Sequence, residues 1–498
     1  MNTQNSLPLY LSRELRQIEQ AARELPLMQR AGQAAAKLAA KLALPGRPIL
    51  ILAGPGNNGG DACEVACHLV AQGQDVRLVL SAPEANLPAQ AAAALARSKE
   101  AGVRPLGTIP QGQHWGLIVD GLFGIGLGRA IEGDHARLIE SANTLAEQHA
   151  CPLLALDCPS GLDSDRGVLR GAAIRASHTL TFIAAKPGLL TLDGPDQVGR
   201  LEVDSLELNP EAITAPSGRS IARDLFAHRL HPRQANSHKG SYGSVGILGG
   251  GESMVGAAIL AGRAALKLGA GRVYLGLLAP SRPAFDPAQP ELMLRSPEAL
   301  FAAPLTALAC GPGLSMAPAA QPWVEKAVAT DLPLVLDADA LNLLAEDEPL
   351  AAACAARQAP TLMTPHPAEA ARLESCGVAE IQQDRIGAAR SLAARLNAWV
   401  ALKGVGTVVA APDGRWWINT SGNPGMASAG QGDVLTGLTV AFLAQGWEAE
   451  AALLAAVYLH GKAGDALVRR NIGPAGLTAG ETGDEARRVF NRWLSGPR

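Results

Sequence analysis

The chain has 498 residues, which is too long for one typical hydrophobic core, so two large domains are expected. It is 48% hydrophobic and 18% charged with a formal net charge of −3, and this balance argues against a nucleic-acid-binding surface. The sequence has no apolar stretch of the roughly 18 residues that span a bilayer, so we expect no membrane partner.

The N-terminal segment and the cysteines indicate a cytoplasmic protein. Residues 1–24 mix acids, Arg and Gln without an apolar core, unlike a signal peptide. The seven cysteines form no CxxC pair, and such scattered cysteines indicate reduced thiols. Cys63 and Cys67 lie four residues apart on a predicted helix and could share a metal, but buried small side chains are the favoured interpretation.

The first half alternates β-type runs with Ala-rich helical segments. Strands are predicted at residues 48–53, 75–80, 116–120, 152–157 and 178–183, with intervening helices that include 61–72 and 136–148. This order predicts a parallel sheet covered by helices. Ligands of such sheets bind beyond the C-terminal strand ends.

Glycine-rich and polar turns follow three of these strands. Residues 54–61 read GPGNNGGD, in which the glycines alone would fit a tight turn, but two Asn and Asp61 favour a ligand site. The run does not match G-x-G-x-x-G, so it does not indicate a standard dinucleotide-binding turn. Asn58, Asp120 and Ser160 supply oxygens at neighbouring strand ends, which suits a hard cation. Turn capping explains Ser160 equally well.

Lys186 follows the fifth predicted strand. It could be a solvated lysine, but its position in AAKPG at another strand end makes a catalytic role competitive. Residues 206–220 are polar, aperiodic and contain proline, as expected of a linker.

The second half is again predicted to be α/β. A strand at 245–248 precedes a helix at 257–268, and further helices are expected at 381–396, 434–444 and 451–464. Strand-end turns lie at 311–313, 337–342 and 364–367. His366 stands between two prolines, where it could cap a loop, although substrate contact is favoured. His460 is interpreted as a packed or surface histidine.

The most informative segment is residues 423–433, NPGMASAGQGD. A glycine-rich turn that leads into a helix presents backbone N–H groups and the positive end of the helix dipole to a phosphate. Asp433 lies at this helix start, where it could be an ordinary N-cap. A second glycine-rich turn with a lysine, KGVGT at 403–407, makes a nucleotide site the favoured interpretation.

With these motifs in order, the chain resembles the bifunctional NAD(P)H-hydrate repair enzymes over nearly its whole length. The first part, residues 1–215, resembles the epimerase domain through GPGNNGGD, DGLFGIGL at 120–127, DCPSGLDSD at 157–165 and KPG at 186–188. Residues 223–498 resemble the ADP-dependent dehydratase through HKGSYG at 238–243, LDADALN at 336–342, TPHPAE at 364–369 and the two phosphate-type turns. The resemblance implies a Rossmann-like parallel sheet followed by a ribokinase-like α/β domain.

The resemblance also implies which residues act. In the first domain, Asp157 and Lys186 are the expected acid–base pair, and Asn58, Asp120 and Ser160 are the expected potassium ligands. The hydrated cofactor is expected to contact Asn57, Asn58, Gly59, Gly60, Asp61, Gly124, Ile125, Gly126, Leu127, Gly128, Arg129, Ala130 and Asp157. In the second domain the hydrate is expected at Ala257, Gly313, His366 and Asp433, and the nucleotide at Lys403, Gly404, Val405, Gly406, Thr407 and Gly432.

The implied function is metabolite repair. NADH and NADPH that have gained water on the nicotinamide ring occur as two epimers, which the first domain would interconvert. The second domain would dehydrate the S epimer, with Asp433 as catalytic base, ADP as co-substrate and Mg²⁺ on the phosphates. A small-molecule kinase and a non-catalytic scaffold are the alternatives. The family also suggests a homo-oligomer with only small-molecule substrates as further partners. The chain differs from the usual family residues at Gly121, Ile125, Cys158, Ala368 and Gln431.

Overall fold

The computed structural model describes residues 5–495. The chain divides into two compact units between Arg219 and Ser220. Each unit is built on a mainly parallel sheet with helices packed against it, so the predicted α/β class is confirmed.

The first unit contains a six-stranded parallel sheet. Its strands follow the order β3-β2-β4-β5-β6-β7 across the sheet. The six strands are β2 Ile49–Ala53, β3 Val76–Leu80, β4 Leu117–Gly121, β5 Leu153–Leu156, β6 His178–Phe182 and β7 Arg200–Asp204. Two short strands, β1 Pro8–Leu9 and β8 Gly218–Ser220, do not belong to this sheet, and β8 ends at the boundary between the units. The order in which successive strands are added to the sheet reverses at β2, because β3 lies on one side of β2 and β4 on the other. The crevice beyond β2 and β4 is therefore the expected ligand position.

Two apolar cores cover the faces of this sheet. Successive residues of β2 alternate between them, with Ile49 and Ile51 in one core and Leu50 and Leu52 in the other. This alternation is the strand period of two. The helices that pack here are α1 Ser12–Ala21, α2 Leu27–Leu42, α3 Asn57–Ala71, α4 Ala89–Glu100, α5 Gly133–His149 and α6 Gly194–Val198.

The predicted strands of the first half are confirmed to within one residue at most ends. Helix α3 starts at Asn57 rather than at residue 61, because the second part of the GPGNNGGD run, residues 57–61, already forms the start of the helix. Strand β7 was not predicted. The predicted linker at 206–220 is not irregular throughout, because it holds the 3₁₀ turn Pro210–Ala212 and strand β8, which pairs antiparallel with β1.

The second unit contains nine strands in the order β17-β16-β15-β14-β13-β12-β9-β10-β11. Strands β9 to β15 are parallel, and β11 lies at the edge of the sheet. Strands β16 and β17 extend the sheet as antiparallel strands. The strands are β9 Ser244–Gly249, β10 Arg272–Leu277, β11 Met293–Arg295, β12 Ala307–Cys310, β13 Leu334–Leu336, β14 Thr361–Met363, β15 Trp399–Leu402, β16 Val408–Ala410 and β17 Trp416–Ile418.

Eleven helices belong to the described part of this unit. They are α7 Val255–Lys267, α8 Pro297–Phe301, α9 Gln321–Val328, α10 Asp339–Glu346, α11 Glu348–Ala355, α12 Pro367–Leu373, α13 Val378–Gln383, α14 Arg385–Arg395, α15 Gln431–Ala444, α16 Ala449–Arg469 and α17 Ala479–Ser495. The prediction of one helix over 381–396 is wrong. Asp384 breaks it, because its carboxylate accepts a hydrogen bond from Gly387 N–H and caps a new helix.

Helix α16 is long and apolar enough, by length and composition, to cross a membrane. This corrects the expectation that no such stretch exists. The reason is packing: 78% of its apolar window is buried, and it lies against α15 and α17 in the core of the unit. A helix that is apolar on all sides is a buried helix in a protein of this size.

All seven cysteines are free, and Cys63 packs in the core of the first unit. The favoured interpretation of Cys63 as a buried small side chain is confirmed. Cys67 is partly buried, and the described residues form no cluster of three or more His, Cys, Asp or Glu that could hold a metal.

Helices α7 and α15 approach each other closely at Gly437. A Cβ there would overlap the carbonyl oxygen of Ala261. We expect Gly437→Ala to lower the free energy of unfolding by about 1–3 kcal/mol, because backbone cannot yield as a side chain can. Gly480→Ala is the matched control, since a Cβ on that helical glycine meets only open space. It should stabilise by roughly 0.5–1 kcal/mol. Equal urea midpoints for the two variants would contradict this account.

Candidate functional site

A cavity of about 1020 Å³ opens at the C-terminal edge of the first sheet. It lies where the strand order reverses, beyond β2 and β4, with further walls from α1 and α2. The predicted site residues that line it are Asn57, Asn58, Asp61, Gly124, Ile125, Gly126, Leu127, Asp157 and Lys186. The predicted residues Gly59, Gly60, Gly128, Arg129 and Ala130 are not among its lining residues.

Close backbone packing requires two glycines of the GPGNNGGD turn, Gly54 and Gly59, whereas a Cβ on Gly56 would meet open space. A Cβ on Gly54 would overlap the carbonyl oxygen of Leu122, and one on Gly59 would overlap that of Gly54. The backbone therefore approaches itself too closely for any side chain. Asn58 and Asp61 of the same turn both line the cavity.

Asp120, at the end of β4, is fully buried and held by Ser160. One carboxylate oxygen accepts from Ser160 N–H at 2.8 Å and the other from Ser160 Oγ at 2.7 Å. Burial raises the pKa of Asp120 to about 6, although the hydrogen bonds from Ser160 act in the opposite direction. Asn58 is buried nearby, and neither polar atom of its side chain has a hydrogen-bond partner in the described chain.

Asp157 and Lys186 form a buried ion pair at the base of the cavity. Lys186 Nζ lies 2.5 Å from Asp157 Oδ1, and the side chains are 1% and 14% exposed respectively. Asp157 adopts a left-handed backbone conformation with φ of 63° directly after β5, a strained geometry for a non-glycine residue. The two residues that the sequence proposed as an acid–base pair are thus in direct contact.

In the second unit, a lysine and a carboxylate meet at the same edge of the sheet. Lys403 Nζ, after β15, lies 2.8 Å from Asp337 Oδ1, after β13, and the Asp337 side chain is 2% exposed. Thr436 Oγ1 donates to the second Asp337 oxygen at 2.8 Å. Burial lowers the pKa of Lys403, but the charges of Asp337 and Glu369 override it and the net pKa is raised. Lys403 is therefore a fixed positive charge.

Asp433 lies in the first turn of α15. Its carboxylate is partly buried and has no hydrogen-bond partner within residues 5–495. Burial, followed by the negative charge of Asp337, raises its pKa to about 7. The N-cap of this helix is Gly430, in a left-handed conformation with φ of 86°. The interpretation of Asp433 as an N-cap is therefore wrong.

Hydrogen bonds of the Gln431 side chain anchor the predicted phosphate turn. Gln431 Nε2 donates to Thr482 Oγ1 at 3.2 Å and to Ser428 Oγ at 3.3 Å, while its Oε1 lies 3.0 Å from His460 Nε2. Burial, with the positive charge of Lys403, lowers the pKa of His460 to about 4. The interpretation of His460 as a packed residue is confirmed, and it packs on this turn.

His366 is the N-cap of α12. Its Nδ1 accepts from the N–H groups of Ala368 and Glu369, at 3.1 and 3.2 Å, and the Glu369 carboxylate accepts from His366 N–H at 2.7 Å. This capping box satisfies free donors at the helix start. The capping interpretation of His366 is thus confirmed, and Nε2 of its half-exposed ring lies 3.2 Å from Glu369 Oε1.

Ala257, in the first turn of α7, adjoins Gly313, which follows β12. A Cβ on Gly313, which has φ of 57°, would lie 3.0 Å from the Ala257 Cβ. Strand order reverses between β9 and β12, so this contact marks the ligand crevice of the second sheet.

Hydrogen bonds from Arg385 hold the start of the KGVGT turn. This 2%-exposed guanidinium donates to the carbonyl oxygens of Leu402 and Lys403, at 3.1 and 3.2 Å. Thr407 Oγ1 donates to Gly404 O within the turn, and Val405 is exposed at its tip. The glycines Gly404 and Gly406 both have positive φ, 137° and 61°.

Comparison with known proteins places both halves. The family model described as YjeF-related protein N-terminus matches residues 24–188, and the one described as NAD(P)H-hydrate dehydratase matches residues 245–484. The chain is 38% identical to the bifunctional NAD(P)H-hydrate repair enzyme Nnr of Escherichia coli, covering 93% of this chain and 89% of that protein. For the enzyme of the same name from Coxiella burnetii the values are 35%, 97% and 99%.

The chain belongs to the bifunctional NAD(P)H-hydrate repair enzyme family. Among solved structures, it is similar to the ADP/ATP-dependent NAD(P)H-hydrate dehydratase of Bacillus subtilis co-crystallised with ATP/Mg²⁺. The two are 32% identical with a TM-score of 0.48, over 55% of this chain and 97% of that one.

Three residues of this NAD(P)H-hydrate repair family member received no role from the sequence. Asp337 pairs with Lys403, Thr436 orients Asp337, and Arg385 holds the KGVGT turn. Asp337 had a usable signal, because an acid directly after a buried strand lies at the ligand edge of a parallel sheet. Arg385 had none, since its partners are backbone carbonyls distant in the chain.

Proposed function

We propose that this chain interconverts the R and S epimers of hydrated NADH and NADPH and dehydrates the S epimer at the expense of ADP, giving AMP and phosphate. The epimerase domain would comprise residues 1–215 and the dehydratase domain residues 223–498. The observation that carries the proposal is the Asp433 carboxylate, which has no hydrogen-bond partner in the described part of the chain, has its pKa raised to about 7, and lies at the start of a glycine-capped helix.

The chemistry of dehydration needs a better leaving group than hydroxide. Asp433 would take the proton from the ring hydroxyl as the hydroxyl oxygen attacks the terminal phosphate of ADP and AMP leaves. Phosphate then departs with the C–O electron pair while the ring nitrogen lone pair forms a C=N bond. Loss of a proton to water from the adjacent ring carbon forms the ring C=C bond and returns the C=N electrons to nitrogen. The free N–H groups at the start of α15, including Gly432, would stabilise charge on the transferring group. Lys403 would offset the charge of the nucleotide.

A potassium ion fits the first domain. The buried Asn58 amide has an unpartnered oxygen, and Asp120 is a buried carboxyl group on β4, the strand that neighbours β2. We assign Asn58, Asp120 and Ser160 as its ligands, because carbonyl, carboxylate and hydroxyl oxygens suit a hard cation. When bound, the ion would supply a positive charge that offsets Asp120.

Magnesium would enter the second domain with the nucleotide. The described residues form no preformed cluster of three or more metal-ligating side chains, and Asp337 already binds Lys403 and Thr436. Mg²⁺ commonly keeps several waters and binds chiefly through substrate phosphates. It would supply charge neutralisation there.

We further propose a cytoplasmic homo-oligomer that needs no membrane or nucleic-acid partner.

The decisive experiment is incubation of the full chain with chemically prepared NADH hydrate. Dihydropyridine absorbance should return only when ADP and Mg²⁺ are present, and both epimers should be consumed. Accumulation of a stable phosphorylated product would instead indicate a small-molecule kinase, and no change in either epimer would indicate a scaffold.

The dehydration rate should depend on pH with one ascending limb. Asp433 must be ionised to accept a proton, and its pKa is about 7. kcat/KM for dehydration is therefore expected to rise about tenfold per pH unit below pH 7 and to level off above roughly pH 8. Asp433→Glu, which keeps the carboxylate, should retain the same shape with a shifted midpoint. A wild-type profile that is flat from about pH 5.5 to 7.5 would contradict the assignment of Asp433 as base.

A further inference from the structure

Lys186 has no proton donor left for a substrate. An ammonium group carries three N–H donors. Lys186 Nζ lies 2.5 Å from Asp157 Oδ1, 2.6 Å from Thr181 Oγ1 and 2.9 Å from the Phe182 carbonyl oxygen. These three acceptors use all three donors, and the side chain is 1% exposed. Lys186 lines the cavity, but its donors are used by its neighbours, so it anchors them and has no donor left for a substrate.

Asp157, by contrast, offers one oxygen to the cavity. Its Oδ1 accepts from Lys186 and from Phe182 N–H at 3.3 Å, whereas Oδ2 has no hydrogen-bond partner in the described chain. Oδ2 faces Gly124, where an added Cβ would lie 3.3 Å from it. The ion pair with Lys186 therefore holds a carboxylate with one oxygen free to accept a proton.

A second carboxyl group lines the same cavity. Asp61, in the second turn of α3, is partly exposed and its carboxyl makes no hydrogen bond within residues 5–495. Burial, followed by the negative charges of Asp157 and Glu19, raises the pKa of Asp61 well above its ordinary value. The charge of Lys186 acts on Asp61 in the opposite direction but is outweighed. Asp61 forms no ion pair within residues 5–495, so its protonated form is favoured.

We propose that Asp61 is the proton donor of the epimerase domain, that Asp157 Oδ2 is the proton acceptor, and that Lys186 is a positioning residue for Asp157. This inference rests on the proposed epimerase function and deepens it. One carboxyl group without an ion-pair partner within residues 5–495 and one carboxylate paired with a lysine thus line one cavity, where they can act as an acid and a base.

The reaction balances with these two groups alone. Hydration of the ring enamine places the hydroxyl on the carbon next to the ring nitrogen. Asp61 gives its proton to that hydroxyl, and the C–O bond breaks with its electron pair leaving on water, while the nitrogen lone pair forms a C=N bond. A water adds to the opposite face of this carbon, the C=N electrons return to nitrogen, and Asp157 takes the proton released. Proton exchange with solvent restores both carboxyl groups.

The test measures epimer interconversion by the full chain without ADP, starting from the separated R epimer. Asp61→Asn should lower kcat by about 10²–10⁴-fold with little change in KM, because the amide keeps the shape but lacks the acidic proton. Asp61→Ala should regain part of its rate with added formic acid. Asp196→Asn, at an exposed position of the same unit, is the matched control and should keep the wild-type rate.

Lys186→Ala separates a positioning lysine from an acid. The variant should lose activity because Asp157 is no longer held in position. Added methylammonium salts of different acidity should not restore the rate in proportion to that acidity. Recovery that follows ammonium acidity would make Lys186 the donor and overturn the inference. A raised KM with unchanged kcat in Asp61→Asn would also overturn it. Melting curves check that each variant is folded. If the wild-type chain interconverts no epimers, the proposed epimerase function fails instead.

Discussion

Replacement of Asp433 by Asn is expected to abolish ADP-driven dehydration while epimerisation continues. The amide has the shape of the carboxylate but cannot accept the hydroxyl proton, and loss of a general base typically costs about 10²–10⁴-fold in rate. The fold should survive, because the Asp433 carboxylate has no hydrogen-bond partner in the described chain and is not the helix cap. Nucleotide binding should persist or strengthen, since one negative charge near the phosphates is removed.

The measurement is recovery of dihydropyridine absorbance from the purified S epimer, beside a melting curve of each variant. Asp413→Asn, on an exposed turn of the same unit, is the matched control and should turn over normally. An Asp433→Asn enzyme with near-normal turnover would remove the catalytic assignment. Loss of activity together with the melting transition would mean that Asp433 serves stability instead.

Replacement of Asp157 by Asn is expected to strand the R epimer. The full chain should still convert the S epimer with ADP at the wild-type rate, because the dehydratase residues belong to the other unit. Conversion of R should fall to the spontaneous rate, a loss of about 10²–10⁴-fold, since the amide cannot take up the proton. Removal of the carboxylate also leaves the buried Lys186 ammonium without its charge partner, which costs stability.

A mixture of known epimer content gives the clearest readout. Wild-type enzyme should restore NADH from the whole sample, whereas Asp157→Asn should stop once the S fraction is used. A catalytic amount of Asp433→Asn enzyme, which retains the epimerase site, should then restart the reaction. Full conversion of R by Asp157→Asn alone, faster than spontaneous epimerisation, would show that Asp157 is dispensable.

The order of strands and helices was readable because each had a clean local signal. The runs at β2, β4 and β5 are short and mostly apolar, and turns rich in glycine or proline bound them. Elements with weaker signals were missed or misplaced. Strand β7 mixes charged and apolar residues, and the break at Asp384 depends on one capping carboxylate inside a helical pattern.

The same division holds for the sites. Motifs after strand ends placed Asn58, Asp61, Asp157 and Lys186 at one edge of a parallel sheet, and the structure brings all four to one cavity. The pattern could not say which donors were already used. Lys186 donates its three hydrogen bonds to Asp157, Thr181 and a backbone carbonyl. This arrangement depends on the pairing of strand β6 with β5.

The sequence by itself determined the α/β class, the glycine-rich turns and the family, because these follow from local periodicity and from motifs that are contiguous in the chain. Tertiary structure alone decided which charges meet. Asp337 lies 66 residues before Lys403 and 99 before Thr436, yet the three side chains form one hydrogen-bonded group beside Asp433. The raised pKa of Asp433 follows from this burial and from the nearby Asp337 charge, and both require the assembled sheet.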